Sequence, residues 1–127
     1  MKLVNQDIWA GYKELLKLAD AKLPPKTAAD ILAMIIALER PYQVVDFLQA
    51  KLCQKYGELN EKAGVYVVDM ENPEKSAAYF TEFANLLTQE WNGEFTFEPV
   101  EIPPEVVNEN RNTLVPLWGK FVKECDA

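Results

Sequence analysis

At 127 residues, 49% hydrophobic and 26% charged, the chain suits one globular domain that buries roughly two thirds of its unfolded surface, and it is too apolar for disorder. The net charge of −7 is uneven: residues 1–57 carry 8 Lys/Arg against 6 Asp/Glu, whereas residues 58–127 carry 5 against 14. No basic stripe exists for direct nucleic-acid binding, and the absence of histidine excludes Ser-His and Cys-His nucleophile pairs, imidazole acid-base catalysis and histidine metal sites.

Asn5 is placed to cap a first helix over residues 5–21, whose inner face carries Ile8, Tyr12, Leu15 and Ala19, widened by Trp9 and Leu16. Lys17 and Lys22 suit its negative pole, and Pro24-Pro25 turns the chain because proline lacks the donor a helix interior requires. Thr27 then opens a long amphipathic helix, residues 27–57, with Asp30 placed to close a capping box. Its stripe of Ile31, Ile35, Leu38, Tyr42, Val45, Leu52 and Tyr56 keeps a three-four spacing, broken only by the polar Gln49. Pro41 costs about 3 kcal/mol in a helix interior unless the helix bends there. Because Leu38, Tyr42 and Val45 stay in register across it, a kinked continuous helix is expected, with Gly57 as its end.

Residues 58–64 read as a polar loop, and the Val-Tyr-Val-Val run of residues 65–68 as a short strand. Asn72-Pro73 starts a third helix over residues 73–91, with Ala77, Phe80, Ala84, Leu87 and Trp91 at the spacing that suits antiparallel packing on the long helix. Residues 94–98 alternate polar and apolar, and Val100 and Ile102 extend a second strand that Pro99 confines to an edge or a bulge. Its available partner is the strand at 65–68, giving a ribbon too small to stand alone. Residues 113–124 form a last helix with Leu114, Leu117, Trp118, Phe121 and Val122 as its apolar face. The expected fold class is therefore mainly α (α+β): a long antiparallel helical pair, flanking N- and C-terminal helices and a small two-stranded antiparallel β-ribbon, all within one domain.

No cationic start precedes an apolar signal core, and the longest apolar run, residues 31–38, falls far short of the roughly 20 residues that cross a bilayer. A soluble protein of a reducing cytoplasm, with no membrane partner, is expected. Cys53 and Cys125 lack C-x-x-C spacing and read as small apolar residues, not as a disulfide or zinc site. The scattered glycines build no phosphate cradle. Asp69, Glu71 and Glu74 either favour the positive pole of the third helix or offer oxygen ligands to a hard cation. No catalytic, cofactor-binding or metal-ligating residue is assigned.

Two features remain as candidate partner-binding surfaces. Glu94, Glu98, Glu101, Glu105 and Glu109 form the most one-signed stretch, either a solvated acidic edge or a docking face for a basic partner. Met34, Pro41, Val44 and Leu48 on the long helix and Tyr79, Phe83 and Leu86 on the third exceed what one helical seam buries; the end helices, a protein partner or a second copy of the chain must cover them.

Leu15-x-x-Leu18, Lys22-Leu23-Pro24-x-Lys26, the isoleucine-rich helix closing with Leu38-Glu39, Lys55-Tyr56-Gly57-Glu58, Leu86-Leu87-x-x-Glu90 and Val100-Glu101-Ile102 run in this order. In these motifs the chain resembles a family of small uncharacterised proteins encoded by bacteriophages and prophages, mostly of Gram-positive hosts, over most of residues 12–103. Pro41, where a charged helix former is usual, and the chain beyond Pro104 depart from it. The resemblance implies a phage origin and the host bacterial cytoplasm or the virion as location, and it brings no catalytic residues. The function expected is non-enzymatic: a virion assembly or virion-associated factor acting by protein-protein binding. The alternative is an accessory inhibitor of a host defence system, as an acidic-surface binder or a ligand-sequestering oligomer.

Overall fold

A computed structural model describes residues 2–124; Cys125, read above as a small apolar residue, lies outside the described residues. Helix α1 spans Asn5–Ala19. Its first turn is closed by Asp7, whose Oδ2 accepts the Val4 N–H at 3.0 Å. Asn5 is not the cap: its Nδ2 donates to the carbonyl of Leu86 at 2.9 Å, tying the start of α1 to the end of the third helix. Leu3 and Asn5 add backbone bonds to Trp91 and Gln89 at 2.8 and 2.9 Å.

Helix α2 spans Pro25–Tyr56, 32 residues, so it runs about 48 Å at 1.5 Å per residue. It begins two residues before Thr27, because Pro25 at the first helical position lacks only a donor that would have no helical acceptor there. The helix continues through Pro41, as the unbroken register predicts. Ile31, Ile35, Leu38 and Val45 of the expected stripe are buried, and Tyr42, Leu52 and Tyr56 are half-buried. Gly57 ends the helix in extended backbone and not in the left-handed cap expected of glycine. Its lack of a side chain matters for room instead: a Cβ there would lie 2.6 Å from the carbonyl oxygen of Val67.

Strands β1 (Glu58–Asn60) and β2 (Val65–Val67) form an antiparallel hairpin with Leu59 opposite Tyr66. This corrects both the polar loop expected over residues 58–64 and the pairing of the 65–68 strand with residues 94–102. The turn explains it. Asn60 Oδ1 accepts the N–H groups of Lys62 and Ala63, and Gly64 takes φ +69°, a left-handed conformation that glycine adopts without steric cost.

Helix α3 spans Pro73–Thr88, capped by Asn72, whose side chain accepts the N–H of Lys75. It returns antiparallel to α2, but turned on its axis relative to the expected face. Tyr79 and Leu86 are buried and Phe83 is half-buried, whereas Ala77, Phe80 and Ala84 are exposed. Both sets of residues keep three-four spacing, so periodicity alone does not choose between them.

The chain after residue 93 differs most from expectation. Only Val100–Ile102 of residues 94–102 is a strand, β3, and it pairs in parallel with β4 (Val122–Glu124), Val100 opposite Val122. Two short helices follow β3, α4 (Pro104–Glu109) and α5 (Arg111–Leu114), and in place of the last helix expected over residues 113–124 the chain makes the end of α5, a 3-10 turn at Val115–Leu117 and β4. Pro116 removes a helix donor, and Gly119, at φ +89°, turns the chain back toward β3. The main core lies between α1, the first half of α2 and this C-terminal segment, with Ile8, Leu15, Ile31, Leu38, Ile102, Leu117 and Phe121 at its centre. The second half of α2, α3 and the hairpin extend from it as an arm. No helix among the described residues is long and apolar enough to cross a membrane.

Candidate partner-binding surface

The arm is held by few, specific contacts. Gln49, the polar break in the stripe of α2, donates from Nε2 to the hydroxyl of Tyr79 at 2.9 Å and to Cys53 Sγ at 3.2 Å. Burial pushes the Tyr79 hydroxyl above its ordinary pKa, with the neighbouring thiol adding to that and the Gln49 bond opposing it. Lys55 Nζ meets Glu82 Oε1 at 2.8 Å across α2 and α3. That bond holds the Glu82 carboxyl below the usual carboxylate range and Lys55 above the usual lysine range. Its contribution is therefore complete between the two ranges, and is lost in acid as Glu82 protonates and in strong base as Lys55 deprotonates. Nearer the core, Trp9 packs on Tyr42 and Phe83, and Tyr12 stacks on Tyr42 at 4.5 Å.

What the arm leaves uncovered is apolar. All six strand residues of the hairpin are exposed. Leu59 and Tyr66 share one face of it, and Val65 and Val67 lie on the other, so both faces present apolar side chains. Met70, three residues beyond β2, and Phe80 on α3 are also exposed, each more than half open. A two-stranded ribbon standing alone is at best marginally stable in water.

The outward side of α2 forms a second apolar surface. Val44 and Leu48 lie on it as the sequence suggests, joined by Leu32, Ile36 and Phe47. Leu48 also lines a groove with Leu52, Leu86 and Gln89 between α2 and α3. Met34, assigned to the same strip, is fully buried beneath the C-terminal segment, and Tyr79 is buried against Gln49, so neither belongs to a free surface. Phe83 is half-buried against Trp9.

The five glutamates are all exposed, but they do not lie along one strand edge: Glu94 and Glu98 sit in irregular chain, Glu101 on β3, and Glu105 and Glu109 on α4. Glu98 and Glu101 line an open cleft of about 580 Å³ that also holds Lys26 and Lys123, with Lys123 Nζ 3.8 Å from Glu101. This part of the acidic stretch is thus locally of mixed sign. Asp69 accepts the N–H of Glu71 at 2.9 Å and shapes the turn before α3. Among the described residues no group of three or more Cys, Asp or Glu is arranged to hold a metal ion.

The hairpin, Met70 and Phe80 are absent from the candidates drawn from the sequence. Their signal is the Val65-Tyr66-Val67-Val68 run itself: four apolar residues in an extended strand put side chains on both faces, and a ribbon of two strands cannot cover both. Compared with protein-family models, with curated proteins and with solved structures, the chain matches none.

Proposed function

We propose that this protein acts without catalysis, by binding another protein through the exposed apolar residues of the β1–β2 hairpin together with the exposed Met70 and Phe80. The observation that carries the reading is a ribbon apolar on both faces and exposed at all six strand positions. Exposed apolar patches of this kind mark interaction sites, because water is a poor solvent for them and a partner removes that cost. In the phage setting that the sequence resemblance implies, the partner is a virion protein under assembly, met in the host cytoplasm. Neither nucleic acid nor membrane belongs to this reading.

The test is capture by the tagged full chain from infected host lysate, comparing the wild type with Tyr66→Asp and Phe80→Asp. A virion protein held at about 0.5 M salt, where exposed charges are screened within a few Å, and lost in both variants is the expected result. Capture unchanged in both variants overturns the hairpin as the contact. Capture lost at high salt and in a Glu98→Gln, Glu101→Gln, Glu105→Gln triple variant would replace it with the acidic-surface inhibitor.

A further inference from the structure

We infer that two copies of this chain pair along the outward faces of their α2 helices, antiparallel, across a two-fold axis that passes between Pro41 and Tyr42. The inference concerns a surface separate from the hairpin and does not rest on the partner reading above.

Helix α2 carries a second set of regularly spaced positions. Opposite the buried stripe, positions 29, 33, 36, 40, 43, 47, 50 and 54 alternate steps of four and three, and all eight are exposed. Five of the eight are apolar, Ala29, Ala33, Ile36, Phe47 and Ala50, and Arg40, Gln43 and Gln54 are polar, so apolar residues at the spacing of packed helices lie on either side of a polar centre. The apolar content of this face is high: Ile36 is 71% exposed, Phe47 60%, Val44 59% and Leu32 51%. Side chains of ordinary size at these exposures leave on the order of 600 Å² of mainly apolar area per copy, against about 800 Å² per partner in a standard interface. No other element of the described chain covers this face.

The pattern is complementary to itself in one register. With the axis between Pro41 and Tyr42, near the middle of the 32-residue helix, Ile36 comes opposite the partner's Phe47, and Ala33 opposite the partner's Ala50. Large thus meets large on either side of the centre, while the alanine layers beyond let the backbones approach to the 8–10 Å typical of packed helices. Arg40 comes opposite the partner's Gln43, within one turn of the partner's Asp46. On one flank Asp30 comes opposite the partner's Lys51, which makes two such pairs per dimer. On the other flank Glu39 faces the partner's Asp46, and Arg40 lies beside both. A parallel pairing would instead stack Arg40 on the partner's Arg40 at the centre of the seam, an uncompensated like-charge contact. A second copy is therefore the occupant that matches the face in length and area, with the Asp30–Lys51 pairs on one flank and Arg40 between Glu39 and the partner's Asp46 on the other.

The test is the mass of the full chain in solution by light scattering at roughly 100 μM, well above a micromolar Kd. The expected result is twice the 14.5 kDa of one chain, falling to the single-chain mass in Phe47→Glu and in Ile36→Glu. Both residues are exposed in the single chain, so far-UV circular dichroism should be unchanged and the mass shift alone reports the interface. Register is read by cross-linking with Cys53 and Cys125 replaced by Ser. Ala33→Cys with Ala50→Cys should give a disulfide-linked dimer on oxidation, and Ala33→Cys alone should not. A single-chain mass for the wild type overturns the proposal, as does a dimer that survives Phe47→Glu. A link formed by Ala33→Cys alone overturns the antiparallel register in favour of a parallel one.

Discussion

Gly11 shows how one residue joins distant parts of this chain. It is buried in α1, and a Cβ placed on it would lie 2.7 Å from Cε2 of Phe121, a ring that is itself 1% exposed near the end of the described chain. Local preference and packing therefore disagree. In an isolated helix Gly11→Ala gains up to about 1 kcal/mol in propensity, whereas overpacking a rigid core typically costs about 1–3 kcal/mol. Packing wins here because the ring is enclosed on its other side by Phe95, 5.3 Å away between centroids. Gly11→Ala should lose about 1 kcal/mol in urea unfolding, and the same substitution in a Phe121→Leu background should be stabilising. Gln49 makes the same point for polar residues. Its place in an apolar stripe is visible in the sequence, but its partner, Tyr79, lies 30 residues away and only the folded chain brings the two within 2.9 Å.

Among the elements, α2 was the most legible. Its stripe, its length and its passage through Pro41 all follow from spacing, since a proline that broke the helix would have left Tyr42 and Val45 out of phase with Leu38. Proline at that position still removes the bond to the carbonyl of Ala37. Restoring that donor, Pro41→Ala should stabilise the protein by about 2 kcal/mol, read as a higher Tm at equal protein concentration. Helix α3 was legible in its start but not in its rotation, and it ends at Thr88, short of the Trp91 expected. Ala77, Phe80, Ala84, Leu87 and Tyr79, Phe83, Leu86 are two apolar lines on one helix, and the choice between them is made by Trp9, Gln49 and Cys53, residues on other elements. The short elements after residue 93 were least legible. Three-residue strands carry too little pattern to be recognised, and β3 pairs in parallel with a strand some twenty residues later, a register no local signal encodes.

At the scale of the molecule the chain divides into a dense core and a thinly packed arm. The C-terminal segment supplies Phe95, Val100, Ile102, Val106, Leu114, Leu117, Phe121 and Val122 to the same core as α1 and the first half of α2. A chain truncated after Asn92 should therefore lose its cooperative thermal transition, because Leu15, Ile31, Met34 and Leu38 would face water and removing even one large core side chain costs about 2–5 kcal/mol. Replacing residues 58–67 by a short Gly-Ser turn should leave that transition in place, since none of the hairpin's strand residues is buried, while abolishing capture of the partner. Exposure explains why the open surface was only partly readable: Val44 and Leu48 are exposed as expected, Met34 and Tyr79 are buried, and the exposed hairpin was not anticipated. An apolar residue looks the same in sequence whether it faces the core or water. By itself, the sequence determined what depends on neighbours within a turn or two: the three long helices, the buried stripe of α2, the strand at Val65–Val67 and the absence of histidine. Tertiary structure alone decided which apolar line turned inward, which strands paired and which surface stayed open. Those outcomes are set by competition among distant segments for the same limited core, and no local window contains the competitors.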